Sequence, residues 1–254
     1  KILLTGISGF IGGRVAQYLL AKGHKIIAPV RKRTYRFNSN KNLLICSYDE
    51  LSEIVINKEI DYFYHCASLT SVNCEDQDLI YKTNIELANL VANISAICRP
   101  KIIFFTSTIS IYGQINTPIL SFNQKINTNN LDNYGKSKLI AEKIIEEYSI
   151  KNNCRYILFR LPGVVGYGSH SNLLSKVINT LLSDDDKVLN LFNADNLFNN
   201  MLDINTLISY FEQLKINDKN NPKVKKTILA CKNPIKIGEV IYHIQENLKL
   251  RNQK

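Results

Sequence analysis

Ile2-Leu3-Leu4-Thr5-Gly6-Ile7-Ser8-Gly9-Phe10-Ile11-Gly12 stands at the start of this 254-residue chain, and the order of its residues decides the fold. Ile2 to Leu4 reads as a short buried strand. Val15, Leu19 and Leu20 then recur at helical spacing up to Lys22, and Gly23 stops the helix. Between strand and helix, Gly6, Gly9 and Gly12 permit a tight turn. They also let backbone N–H groups approach a pyrophosphate at the helix N-terminus. The spacing Gly-x-x-Gly-x-x-Gly differs from the commoner dinucleotide fingerprint, and no Gly-Lys-Ser/Thr follows to make a P-loop.

Downstream, apolar strand-like runs alternate with helical stretches, which predicts an α/β chain with a Rossmann-like, doubly wound parallel sheet. We expect residues 1–160 to form the dinucleotide-binding domain. Residues 161–254 should form mainly a smaller C-terminal substrate lobe interleaved with that core, with helices near Leu173–Leu182, Thr206–Leu214 and Ile237–Leu248. The net charge of +10 comes from cations spread along an Asn-, Ile- and Lys-rich chain without aromatic interleaving, so compositional bias explains it better than nucleic-acid binding does. Six scattered cysteines lack a Cys-x-x-Cys pair and the four histidines lack ligand spacing, so reduced thiols and no metal are expected. No apolar run reaches spanning length and Lys1 begins the first strand almost at once; a cytoplasmic protein without membrane contact is the expectation.

Tyr134 and Lys138, in Tyr-Gly-Lys-Ser-Lys, lie four residues apart and therefore on one face of a helix. A free tyrosine ionises near pH 10; a cation beside it favours the phenolate. Bringing it to about 7 takes roughly 4 kcal/mol, which one ammonium and a second positive charge such as an oxidised nicotinamide could supply. The fifth strand, Ile102 to Thr106, is continuously apolar, so Ser107 and Thr108 should emerge at the carboxyl edge of the sheet, where ligands of open α/β folds bind. A hydroxyl there can hydrogen-bond a substrate oxygen that gains or loses a proton. The second strand, Lys25 to Val30, ends in Arg31-Lys32-Arg33 instead of the acid that usually accepts from the ribose hydroxyl of NAD. Those cations suit a 2′-phosphate, so NADP(H) is favoured and NAD(H) stays the alternative.

Taken together and in this order, these motifs resemble the extended short-chain dehydrogenase/reductase superfamily. Within it, the chain resembles the NAD-dependent epimerase/dehydratase family that acts on nucleotide sugars. Tyr64-His65-Cys66-Ala67-Ser68, Asn84, Phe105-Thr106-Ser107-Thr108 with Tyr112-Gly113, and Arg160-Leu161-Pro162-Gly163 support it. The resemblance implies that Gly6, Gly9, Phe10, Ile11, Gly12, Arg31, Lys32, Arg33, Cys66, Ala67, Ser68, Asn84, Thr106, Ser107, Leu161 and Pro162 line the cofactor together with Tyr134 and Lys138. It implies that Tyr134 exchanges a proton with a sugar hydroxyl or ketone, that Lys138 lowers the tyrosine pKa and binds the nicotinamide ribose, and that Thr108 orients the substrate oxygen. Ser110, Gly163, His170 and Asn172 would complete the substrate side.

Departures from the family pattern narrow the reaction. Members that dehydrate a hexose carry an Asp-Glu pair directly after this Thr, where Ile109 and Ser110 stand; neither can protonate a leaving hydroxyl. Gly163 replaces an Asn of standard 4-epimerases, and Asn199 an Arg that grips the diphosphate, whereas Asn172 matches a diphosphate-binding Asn. A 4-keto reductase or an epimerase of a nucleotide sugar, serving surface-polysaccharide synthesis, is therefore expected. The partners would be that substrate and, as an assembly, a homodimer. The alternative is a catalytically silent dinucleotide-binding regulator or scaffold. Family members usually continue past the Ile237–Leu248 helix, so the expectation is a substrate lobe that is in part absent or disordered.

Overall fold

A computed structural model describes the chain except for residues 32–39, 116–119, 170–171, 184–191, 199–200, 217–222 and 253–254. In the first half, β1 (Ile2–Thr5), α1 (Phe10–Ala21), β2 (Ile26–Pro29), β3 (Leu43–Cys46), the short α2 (Leu51–Val55), β4 (Tyr62–His65), α3 (Gln77–Cys98) and β5 (Ile102–Thr108) alternate. A 3₁₀ turn at Ile109–Tyr112 leads on to α4 (Asn133–Lys151) and β6 (Arg155–Leu161). Then come β7 (Gly163–Val165), α5 (Leu173–Leu182), β8 (Leu197–Phe198), β9 (Met201–Asp203), α6 (Ile204–Ile216), β10 (Val224–Ile228), β11 (Ile235–Lys236) and α7 (Ile237–Asn252).

Seven strands form one parallel sheet in the order β10-β6-β5-β4-β1-β2-β3. From β1 the chain winds outward one way through β2 and β3, and the other way through β4, β5 and β6. The carboxyl ends of β1 and β4 therefore flank a topological switch point, the place where such sheets open a ligand crevice. The central strands are largely apolar because helices cover both faces, and β1, β2, β5 and β6 bury every residue, the polar ones of β5 and β6 included. Phe211 of α6 closes one face, meeting Tyr64, Phe104 and Phe159 edge-on at centroid distances of 5.4, 5.6 and 5.0 Å. Each such ring contributes on the order of 1.5–3 kcal/mol by leaving water.

Two helices carry the polar residues that concern function. The Asp76 side chain caps α3, accepting from the N–H groups of Asp78 and Leu79. It buries Ile80, Asn84, Ala88, Val91 and Ile94 along one stripe. Asp132 caps α4 by accepting from the Gly135 N–H at 2.7 Å. The stripe that α4 buries holds Lys138 and Glu142 among Ala141 and Ile145. Burying charges at core positions is costly unless they are paired, so these two side chains mark a site.

The described chain divides into two compact units, Lys1–Leu161 with Ile208–Ile228, and Pro162–Leu207 with Leu229–Lys254. The second holds the paired strands β7 with β9 and β8 with β11, together with α5 and α7. β5 runs two residues further than expected, to Thr108, because β6 is equally long and the ladder continues to Thr108 opposite Leu161. No helix among the described residues is long and apolar enough to cross a membrane.

Candidate active site

At the head of α1 the turn is built as the glycines demand. Gly6 has φ +82°, and a Cβ on it would lie 2.6 Å from the backbone of Cys66 and Ala67 at the end of β4. A Cβ on Gly12 would lie 2.2 Å from the Gly6 carbonyl oxygen. Any side chain at either position would force the turn open. Gly9 is the N-cap and supplies no side-chain cap, and the first turn of α1 carries no acid. Its N–H groups and dipole are thus presented to an anion at the switch point, which fits the pyrophosphate of a dinucleotide.

On the other side of the crevice, Gly135 explains the Tyr-Gly-Lys order. A Cβ there would come within 2.9 Å of the Ser110 carbonyl oxygen, so glycine lets α4 press against the 3₁₀ turn that follows Thr108. The hydroxyls of Thr108 and Ser68 face the hydroxyl of Tyr134 and favour its ionised form. Thr108 Oγ1 donates to Ser110 Oγ at 3.0 Å and accepts from the Ser110 N–H at 3.1 Å. Thr108, Ser110, Ser68 and Tyr134 thereby group four hydroxyls at one sheet edge.

Lys138 is 3 % exposed, and its Nζ donates to the Thr106 carbonyl oxygen at 2.8 Å and lies 4.3 Å from the centre of the Phe105 ring. Burial lowers its pKa to about 8, against the opposing pull of Glu142 and Cys66. The expectation is that Lys138 and a second positive charge together lower the Tyr134 pKa; Lys138 by itself does not bring it below the usual value. Burial raises that phenol above its usual value near 10 despite the Ser68 and Thr108 hydroxyls, and Asp132 pushes the same way. The physical reason is burial of the phenol, while the Lys138 ammonium donates to the β5 carbonyl and lies against the Phe105 ring. A further positive charge beside the phenol would favour the phenolate.

Several expected cofactor residues turn inward. Thr106 Oγ1 donates to the His65 carbonyl oxygen at 3.1 Å, and Ser107 Oγ to Glu142 Oε1 at 2.5 Å. Asn84 has its amide engaged on every side: Oδ1 accepts from the Leu69 N–H (2.8 Å) and Ser68 Oγ (3.2 Å), and Nδ2 donates to the Leu69 carbonyl (3.0 Å) and Ser137 Oγ (3.0 Å). It braces the segment after β4. His65, also buried, shares a 2.7 Å hydrogen bond with Thr5 Oγ1, and burial holds its pKa well below 6.5, so the ring is neutral.

Sequence reasoning passed over one feature, a buried ion pair behind the site. Arg160 on β6 grips Glu142 with two hydrogen bonds (2.7 and 3.2 Å), donates to Tyr112 and to the Phe122 carbonyl, and lies 3.8 Å from the centre of the Phe122 ring. Its signal was present in the chain: Glu142 follows Lys138 by four residues, on the face that Tyr134 and Lys138 define.

Arg31 is exposed after β2, and its charge opposes the upward pull of burial on the Tyr48 phenol beyond β3. Glu50, the nearby acid, is occupied by the N–H and hydroxyl of Ser47 (2.8 and 2.9 Å). Leu161 ends β6 in the first unit and Pro162 opens the second. Gly163 begins β7 and is exposed. Asn172 caps α5, its Oδ1 accepting from the Ser175 N–H at 2.8 Å and its Nδ2 donating to Ser169 Oγ at 3.0 Å. Lys32, Arg33, His170 and Asn199 lie outside the described residues. No group of three or more potential metal ligands occurs among the described residues.

Residues 2–196 match the NAD dependent epimerase/dehydratase family. A sterol-4-alpha-carboxylate 3-dehydrogenase (decarboxylating) from Dictyostelium discoideum is 29 % identical over 198 residues, covering 70 % of this chain and 57 % of that protein. A D-erythronate dehydrogenase from Haemophilus influenzae is 30 % identical over 209 residues, covering 72 % and 61 %. The chain thus spans about three-fifths of the length of these relatives. Among solved structures, MoeE5 in complex with UDP-glucose and NAD superposes with a TM-score of 0.79 at 18 % identity, over 97 % of this chain and 81 % of that one.

Proposed function

Since the chain belongs to the NAD dependent epimerase/dehydratase family, we propose that it transfers hydride at a secondary carbinol or ketone of a nucleotide-activated sugar, as a 4-keto reductase or epimerase. The observation that carries this is the grouping around α4: the Tyr134 phenol faces the Thr108 and Ser68 hydroxyls, one helical turn from an ammonium fixed at 2.8 Å on the β5 backbone. When bound, the nicotinamide would supply the hydride chemistry and, oxidised, a positive charge beside the Tyr134 phenol. Tyr134 moves the proton to or from the carbinol oxygen, and Thr108 with Ser110 holds that oxygen. Gly6, Gly9 and Gly12 would seat the pyrophosphate, Lys138 the nicotinamide ribose, and Arg31 a 2′-phosphate, which favours NADP(H) over NAD(H). Ile109 and Ser110 offer no acid for eliminating water, so 4,6-dehydration is not proposed.

A second substrate class is favoured by one specific observation. Asn172, the expected diphosphate ligand, is occupied in capping α5. By their names, the two relatives described above act on carboxylate-bearing alcohols. A hydroxy acid that carries its own anionic handle therefore stands as the runner-up.

Nucleotide-linked 4-keto sugars with NADPH or NADH, and hydroxy acids with NADP⁺ or NAD⁺, would separate these readings by nicotinamide absorbance. Turnover with the first set, lost in Tyr134→Phe while cofactor affinity stays within about threefold, is the expected result. Turnover confined to hydroxy acids would select the second class. A protein that binds cofactor yet turns over neither set would be the silent regulator.

A further inference from the structure

A hydroxyl beside a buried phenol matters most when the phenol must carry charge. Desolvation works against the Tyr134 phenolate, and one of the three Lys138 N–H groups is held by the Thr106 carbonyl. Ser68 stands at the end of β4, across the site from Thr108, and is itself oriented by the protein. Its Oγ donates to Asn84 Oδ1 at 3.2 Å. Asn84, 3 % exposed, is fixed by both backbone groups of Leu69 and by Ser137 Oγ, and Ser137 in turn donates to the Tyr134 carbonyl at 2.8 Å. A continuous set of hydrogen bonds thus runs from the backbone of Tyr134 through Ser137 and Asn84 to the one serine that faces its phenol from β4.

We infer that Ser68 is a positioning residue for Tyr134, a switchable donor that turns from Asn84 onto the phenolate oxygen when the tyrosine gives up its proton. The step balances simply. The Tyr134 O–H bond breaks as an O–H bond forms on the accepting oxygen, and the Ser68 hydroxyl keeps its proton while rotating. Asn84 Oδ1 is not orphaned by that rotation, because the Leu69 N–H still donates to it at 2.8 Å. Thr108 faces the same phenol with its hydroxyl donated to Ser110 at 3.0 Å, so the two hydroxyls share the task from neighbouring strands. Other ionisable groups around Tyr134 are Asp132 at the helix cap, Lys138 one turn on, Cys66 beside Lys138, and Asp78, which accepts from the Asn133 amide. None of these lies between Ser68 and Asn84.

The inference rests on Tyr134 as the proton-transfer group, but its test needs neither cofactor nor substrate. Thirteen tyrosines absorb together, so the ionisation of Tyr134 is obtained as the difference between the protein and its Tyr134→Phe variant. Near-ultraviolet phenolate absorbance after a stopped-flow pH jump reads it before alkaline unfolding intervenes. Ser68→Ala should raise the Tyr134 midpoint by about one pH unit, roughly tenfold in its ionisation constant. Ser68→Thr, which keeps the hydroxyl, should stay near the wild-type value, and Ser68→Cys, a weaker donor, should fall between. An unmoved midpoint in the Ala and Cys variants, or a Thr variant displaced as far as Ala, would overturn the role of Ser68 and leave the proposed function standing. A shifted midpoint in a protein whose Tyr134→Phe variant still turns over would instead overturn the function and leave Ser68 in place.

Discussion

Replacing Lys138 by Met should make the free protein more stable at neutral pH while abolishing turnover. The ammonium is 3 % exposed, and its pKa falls from 10.5 to about 8 chiefly through burial. That lowering corresponds to roughly 3 kcal/mol by which the charged lysine opposes folding below pH 8. Methionine keeps the length and apolar volume of the stem. It forfeits the hydrogen bond to the Thr106 carbonyl and the contact with the Phe105 ring, together about 1–2 kcal/mol. The net gain at pH 7 should therefore be about 1–2 kcal/mol, or roughly 2–8 °C in Tm for a chain of this size.

The sign follows from proton counting. Between about pH 8 and 10.5 the unfolded chain holds the lysine proton and the folded one does not, so wild-type stability rises with pH across that window. Lys138→Met has no such proton, and its advantage should shrink through the window and reverse above it. Urea denaturation of the free protein between pH 6 and 11 measures this. A variant less stable than wild type at pH 7, or a difference that does not change with pH, would refute the view that Lys138 is a buried charge held at a cost for function.

Glu142→Ala should cost about 3–5 kcal/mol by leaving Arg160 buried without its partner, and adding Arg160→Met should recover much of it; equilibrium denaturation of the double-mutant cycle measures both. Arg31→Ala should weaken NADPH by about tenfold to a hundredfold and leave NADH unchanged, as read by calorimetric titration. Equal affinities of the wild type for the two cofactors would make Arg31 a solvated rim residue. His65 is held neutral by burial and by the nearby Lys138 charge, so stability should fall as pH drops below about 6.5, where the unfolded imidazole takes a proton that the folded one refuses. In His65→Gln that slope should flatten.

The parts of this molecule legible in sequence are those whose physics is local. A Gly-rich strand-to-helix turn needs only its own backbone, so the cradle at Gly6 and Gly12 could be read directly. Tyr134 and Lys138 share a helix face because of a period of 3.6 residues, and the apolar run of β5 fixes which edge Thr108 reaches. What stayed hidden depends on partners distant in the chain. Asn84 was expected at the cofactor, but only the fold shows its amide spent on Leu69, Ser68 and Ser137, the last of these 53 residues away. Glu142 looked like any helical carboxylate until Arg160 and Ser107 closed on it. The pKa of Tyr134 shows why such residues matter. The i, i+4 spacing correctly puts an ammonium on the same face, yet spacing cannot say where that ammonium donates, and here it donates to Thr106. Charge on the phenolate then depends on what approaches the phenol from other strands, the Ser68 and Thr108 hydroxyls among them, and on the cation proposed to bind beside it.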